Sequence, residues 1–198
     1  MKAIGLGVKE KLNQQRKKMA IQNKEKYKGR FIKQVIGVMD VFDSFFEREK
    51  FKNIVEIGTG NGVFSTYVAT KAKDINSSFT TFDIKPISAK IKKELINLNA
   101  KIFTCDVNEN FYIEDIVSSK GRCLILNDGG LKVPQFFRFS KLIKKDDIIL
   151  THDYYKGGKT SGGSIVIEDV KECIKNNNLE IINEKMFDKF LWLCATKR

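Results

Sequence analysis

From about residue 50 onward the apolar positions switch repeatedly between two periods. The runs 53–57 (NIVEI), 78–83 (SFTTFD), 101–105 (KIFTC), 122–127 (RCLILN), 147–151 (DIILT), 179–183 (LEIIN) and 189–196 (KFLWLCAT) have strand character. Helical spacing fills the intervals near 62–73, 86–98, 110–118, 132–144 and 164–176. Several strand runs are continuously apolar, as expected when helices cover both faces of a sheet. Pro86 and Pro134 fall near helix beginnings, where the missing N–H does no harm. The alternation predicts an α/β fold: a Rossmann-like three-layer sandwich with a mainly parallel seven-stranded sheet. No convincing helix separates the last two runs, so they should form an antiparallel pair at the sheet edge, making the last strand antiparallel.

Upstream, Phe31, Val35, Val38, Met39, Phe42, Phe45 and Phe46 recur at three- and four-residue steps and predict an amphipathic helix. The first 30 residues, with scattered Ile4, Val8, Leu12 and Met19, read as a weakly amphipathic helix or an arm closed by Gly29. N-terminal helices should therefore precede the sheet. The chain divides into a basic arm or helix, 1–30, and one domain, 31–198.

Composition narrows the setting. At 198 residues and 42% hydrophobic, the chain can bury one core. No apolar run reaches the roughly 20 residues that cross a bilayer, and no signal-peptide core is present. Cys105, Cys123, Cys173 and Cys194 are widely spaced, without a C-x-x-C pair, and read as reduced thiols of a cytoplasmic protein with no membrane association. The net charge is +12, but residues 1–33 hold 11 Lys/Arg against Glu10 and Glu25. That stretch can hold nucleic acid, or it can be a solvated helix in a lysine-rich sequence.

The candidate chemistry begins at VEIGTGNGVFS, Val55–Ser65. Gly58, Gly60 and Gly62 follow a strand run and open a helix, which suits a turn approached closely by a ligand at the carboxyl end of the sheet. Backbone N–H groups and the positive helix end would meet an anionic part of that ligand. The spacing is G-x-G-x-G and not the dinucleotide G-x-G-x-x-G, since Val63 stands at the third place.

The acid-led form E-x-G-x-G-x-G, Glu56 to Gly62, resembles motif I of class I S-adenosylmethionine-dependent methyltransferases. The resemblance implies S-adenosylmethionine as cofactor, with Glu56, Gly58, Thr59, Gly60 and Gly62 around its methionine part. Asp83, 23 residues after Gly60, and Ile84 would take the ribose side, and Asp106 would flank the adenine. The later strands end in LILNDGGLK and DIILTHDYYKGG. This order, "DG" then "HD", resembles a branch that includes rhamnosyl O-methyltransferases and cephalosporin-hydroxylase-like proteins, and more distantly the catechol-type, Mg-dependent enzymes.

By that resemblance Asp128 and Asp153 match acids that hold a divalent metal, Mg²⁺ for instance. His152, the only histidine, could ligate or act as base, and Lys132 could accept a proton or orient a hydroxyl. The branch's histidine after "DG" is replaced by Leu131 and Lys132, and Tyr154 follows Asp153 where the catechol type has Asn. Two carboxylates without a metal remain an alternative, as hydrogen-bonding groups. The Gly- and Lys-rich stretch 154–164 has the composition of a mobile loop after the fifth strand, either a substrate lid or a plain solvent loop.

The implied activity is methyl transfer to a hydroxyl of a small molecule or sugar. An RNA methyltransferase gripping phosphates with residues 1–33, and a catalytically silent cofactor-binding scaffold, are the alternatives. The Asp/Asn-Pro-Pro-aromatic signature of DNA base methylation is absent from NDGGL. Oligomeric state has no sequence signal.

Overall fold

The computed structural model describes residues 24–156, 158 and 164–198. Most of the basic arm, 1–23, and the centre of the expected lid, 157 and 159–163, lie outside the described residues.

Seven strands form one sheet: β3 (Asn53–Ile57), β4 (Ser78–Asp83), β5 (Lys101–Thr104), β6 (Cys123–Asn127), β7 (Ile148–His152), β8 (Leu179–Ile181) and β9 (Trp192–Lys197). Their order is β5-β4-β3-β6-β7-β9-β8, with β9 antiparallel to both neighbours and the other adjacent pairs parallel. The order reverses between β3 and β6, so a crevice opens beyond their carboxyl ends.

The strands are apolar on both faces because both are covered. Ile54, Leu124, Leu126, Ile148 and Leu150 point into one core, with α1 (Val38–Arg48), α2 (Val63–Asp74) and α3 (Ala89–Asn97) contributing to it. Val55, Ile57, Cys123, Ile125 and Ile149 point into the other, with α4 (Tyr112–Ser118), α5 (Lys132–Leu142) and α6 (Ile167–Asn176). Between β8 and β9 lies α7 (Glu184–Phe187), one turn long. All four cysteines are free. No helix among the described residues is long and apolar enough to cross a membrane.

The expected helix through Phe31–Phe46 is corrected in its first half. Residues 31–35 belong instead to a hairpin of β1 (Lys24–Tyr27) and β2 (Arg30–Val35), and the helix begins only at Val38. Lys28 and Gly29 both carry positive φ (49° and 75°), the backbone of a two-residue hairpin turn. Gly29 thus reverses a strand; it does not end a helix. Gly37, at φ 85°, separates β2 from α1. Several ties bind the hairpin to the domain. Arg30 makes two bonds to Glu94 of α3 (2.6 and 3.1 Å), and the Tyr27 hydroxyl bonds Thr70 of α2 (3.0 Å). Asn61 of the glycine turn donates to the Phe31 carbonyl (3.1 Å), and Ile32 is buried in the core.

Candidate active site

One cavity of about 610 Å³ lies beyond the ends of β3, β4, β5 and β6, within the range usual for small-molecule sites. Gly58, Gly60, Asp83, Ile84 and Asp106 line it, and Asp128 lies on its far side with Gly129 and Leu131. Residues separated by 70 positions in the chain therefore meet because parallel strands end at one edge.

The three glycines answer to different neighbours. A Cβ on Gly58 would lie 2.5 Å from the carbonyl oxygen of Asp128, so this glycine lets β3 and β6 end side by side. A Cβ on Gly62 would meet Ile91 at 2.3 Å. Only Gly60 (φ 56°) has open space around the position of its missing side chain, and it lines the cavity. Close ligand approach accounts for one glycine of three; packing accounts for the others.

Asp83 ends β4 with both carboxylate oxygens fixed by backbone donors, Gly60 N–H at 2.7 Å and Lys85 N–H at 2.8 Å. Each oxygen keeps a further lone pair for a ligand hydroxyl. Asp106 accepts from Asn108 N–H (2.8 Å) and caps the short 3-10 turn Val107–Glu109. Ile84 is largely exposed on the cavity rim.

Glu56, Thr59 and Gly62 do not line the cavity. Glu56 is buried beneath the turn, where the Thr81 hydroxyl donates to it (2.6 Å) and Thr81 in turn meets Thr59 (2.6 Å). Burial pushes the Glu56 carboxyl up to about 8; bonds from Ser65 and Thr81 pull the other way, and the nearby Asp128 and Asp83 add to the rise. It holds the turn from below.

The expected chemical residues assemble around Asp128. Its Oδ1 lies 2.9 Å from His152 Nδ1, and its Oδ2 accepts from Gln34 Nε2 at 2.9 Å. A carboxylate only accepts, so Nδ1 carries a proton, and in the neutral imidazole Nε2 then has the lone pair. Asp153 Oδ1 is 3.5 Å from the same Nδ1, while its Oδ2 pairs with Lys132 Nζ at 2.8 Å. Lys132 also donates to the Gly129 carbonyl (2.8 Å). Asp153 has φ 58°, a left-handed conformation uncommon for a residue with a side chain. Of this group Asp128 lines the cavity, and Lys132, His152 and Asp153 do not.

Asp128, His152 and Asp153 offer one donor atom each, all within 4.8 Å of one another. Three buried polar atoms lack a partner among the described residues: Asn127 Oδ1, Gln135 Oε1 and His152 Nε2. Asn127 and His152 end β6 and β7, and Gln135, in the first turns of α5, lines the cavity. Unpartnered buried atoms are rare, and their concentration here marks a place completed by something else. Two carboxylates and an imidazole with an orphaned nitrogen fit a divalent cation. Lys132, already bonded to Asp153, competes for one of these donors.

Gln34, Trp192 and Gln135 escaped the sequence reading. Gln34 was hidden because its segment resembles a helix. Gln135 sits in an ordinary helical pattern. Trp192, packed on His152 with ring centroids 4.8 Å apart, had no motif around it.

The strand order is that of a Rossmann-like fold, which solved methyltransferase structures share. CmcI carrying Mg and S-adenosylmethionine is similar over 88% of this chain and 77% of its own, at 11% identity and TM-score 0.63. Precorrin-6y C5,15-methyltransferase from Geobacter metallireducens GS-15 matches 89% of this chain and 95% of its own, at 13% identity and TM-score 0.52. The O-methyltransferase TomG from Streptomyces achromogenes, involved in tomaymycin synthesis and complexed with S-adenosylmethionine, matches 80% and 78%, at 12% identity and TM-score 0.50. No protein-family model and no curated protein sequence matches the chain. At such identities these likenesses establish the fold.

Proposed function

We propose that the protein transfers the methyl group of S-adenosylmethionine to a hydroxyl oxygen of a small molecule or sugar. The observation that carries this reading is the single cavity that joins Gly58, Gly60, Asp83, Ile84 and Asp106 to Asp128. In it the ribose would bond Asp83, the adenine would lie between Ile84 and the Asp106 turn, and the methionine part would reach the backbone N–H of Asn61, which lines the cavity beside Gly60. The sulfonium already activates its methyl carbon, so the protein's work is alignment and proton removal.

The acceptor hydroxyl would bond the Asp128 carboxylate, the member of the cluster that faces the cavity. Its proton would then pass to the Asp128 carboxylate, whose Oδ1 is held by His152 Nδ1. Lys132, paired with Asp153 and bonded to the Gly129 carbonyl, holds Asp153 in place. A divalent cation held by Asp128, His152 and Asp153 would further polarise the acceptor oxygen. RNA is a second acceptor class, favoured by Lys33, which stands on the cavity wall where the basic stretch ends. Salt-sensitive RNA binding lost on removal of residues 1–23, a deletion that spares the hairpin, would select it.

Calorimetry with S-adenosylhomocysteine tests the core of the proposal. Binding is expected, weakened about 10- to 100-fold by Asp83→Ala and less by Asp83→Asn. Absence of binding by the unaltered chain sinks it. A Mg²⁺ titration should give binding heat that Asp153→Asn removes.

A further inference from the structure

One buried side chain of the hairpin, that of Gln34, bonds Asp128. β2 alternates, with Ile32 and Gln34 facing inward and Phe31, Lys33 and Val35 outward. Ile32 joins the apolar core, but the next inward position carries an amide that is only 7% exposed. A buried amide is costly unless both of its ends are bonded, and here they are. Trp192 Nε1–H, which can only donate, lies 3.2 Å from Gln34 Oε1. Asp128 Oδ2, which accepts, lies 2.9 Å from Gln34 Nε2. The chemistry of the two partners therefore fixes the amide in one orientation.

Trp192 is itself buried. It packs against Phe42 and Phe64, with ring centroids 5.5 and 6.1 Å away, and against His152. Gln34 thus transmits the position of a rigid indole to a carboxylate whose other oxygen holds His152. With only the His152 bond, Asp128 could rotate about its Cβ–Cγ axis. With both oxygens held, it presents one geometry.

We infer that Gln34 is a positioning residue: its amide, clamped on Trp192, fixes the Asp128 carboxylate and through it the tautomer of His152. The hairpin is by this argument part of the active site. The role in catalysis rests on the function proposed above; the clamp itself does not, and it can be tested without cofactor or acceptor.

The chain has one tryptophan and one histidine, so each gives a unique NMR signal. The full chain would be compared with Gln34→Leu and Gln34→Glu, at alkaline pH and with chelator present. In the unaltered protein the His152 nitrogens should report a proton held on Nδ1. Gln34→Leu should shift the Trp192 indole N–H signal and turn the His152 pattern into a mixture of tautomers. Affinity for S-adenosylhomocysteine should stay within about twofold, because a tenfold loss would need about 1.4 kcal/mol and Gln34 is absent from the cavity lining.

Gln34→Glu keeps an acceptor for the indole while setting a second carboxylate against Asp128. It should disturb His152 with less change at Trp192, and it serves if the leucine variant does not fold. A His152 pattern unchanged in a folded variant whose indole signal has moved overturns the inference. Loss of nucleoside binding in the unaltered chain would instead overturn the functional proposal and leave the clamp standing.

Discussion

At the scale of single residues, the glycine turn illustrates what spacing conveys and what it conceals. The sequence marks E-x-G-x-G-x-G as a turn, and Gly60 faces the cavity as a ligand-approach position should. The packing duties of Gly58 and Gly62 depend on Asp128 and Ile91, about 70 and 29 positions away, and no local pattern carries them. Gly58→Ala should therefore cost more than about 1 kcal/mol in urea unfolding, since its φ of 95° and the Asp128 carbonyl both oppose a methyl group. Glu56 gives a different test. Below its unfolded value near 4.5 both states are protonated; above that the unfolded chain releases the proton while the buried carboxyl keeps it, up to about 8. Stability should fall with rising pH across that window, by at most roughly 1.4 kcal/mol per unit, and level off above it. Glu56→Gln should flatten this slope, which denaturant midpoints between about pH 6 and 9 would reveal. An identical slope in both proteins would remove Glu56 from this role.

At the scale of elements, the central strands were legible because buried parallel strands are almost wholly apolar, and Asp83, Asp106, Asp128 and Asp153 stand at or just past their carboxyl ends. The hairpin was not. Its inward alternation spans only Ile32 and Gln34, too short to compete with the helical spacing that begins at Val38. Its turn, Lys28–Gly29, lacks the Asn–Gly or Asp–Gly pair that usually announces such a reversal. Gln34 was lost with it, which is why the site's link to Trp192 needed three dimensions. The hairpin's attachment can be measured. Arg30 and Glu94 are each roughly one-quarter to one-third exposed and make a two-pronged pair, so Arg30→Met should cost on the order of 1 kcal/mol. Its effect should be local: faster amide exchange in residues 30–35, with the sheet strands unchanged. Uniform acceleration across the sheet would mean that the hairpin and the domain unfold as one unit.

At the scale of the whole molecule, the cavity borrows its walls from parts that share no sequence neighbourhood: the glycine turn, three further strand ends, the start of α5 and Lys33 of the hairpin. A ligand seated there bonds only the folded chain, so it must raise global stability. At a concentration about 100 times its dissociation constant, S-adenosylhomocysteine should add about 2.7 kcal/mol. For a chain of 198 residues that corresponds to a rise in melting temperature of about 5–10 °C. The rise should shrink in Asp83→Ala at the same ligand concentration, to about 0.4–1.4 kcal/mol for a site weakened about 10- to 100-fold. It should persist in Gln34→Leu, since the clamp acts on Asp128 and not on the nucleoside. Equal shifts in the unaltered chain and Asp83→Ala would place the nucleoside elsewhere on the molecule; no shift in any of them would leave the cavity without its assigned ligand.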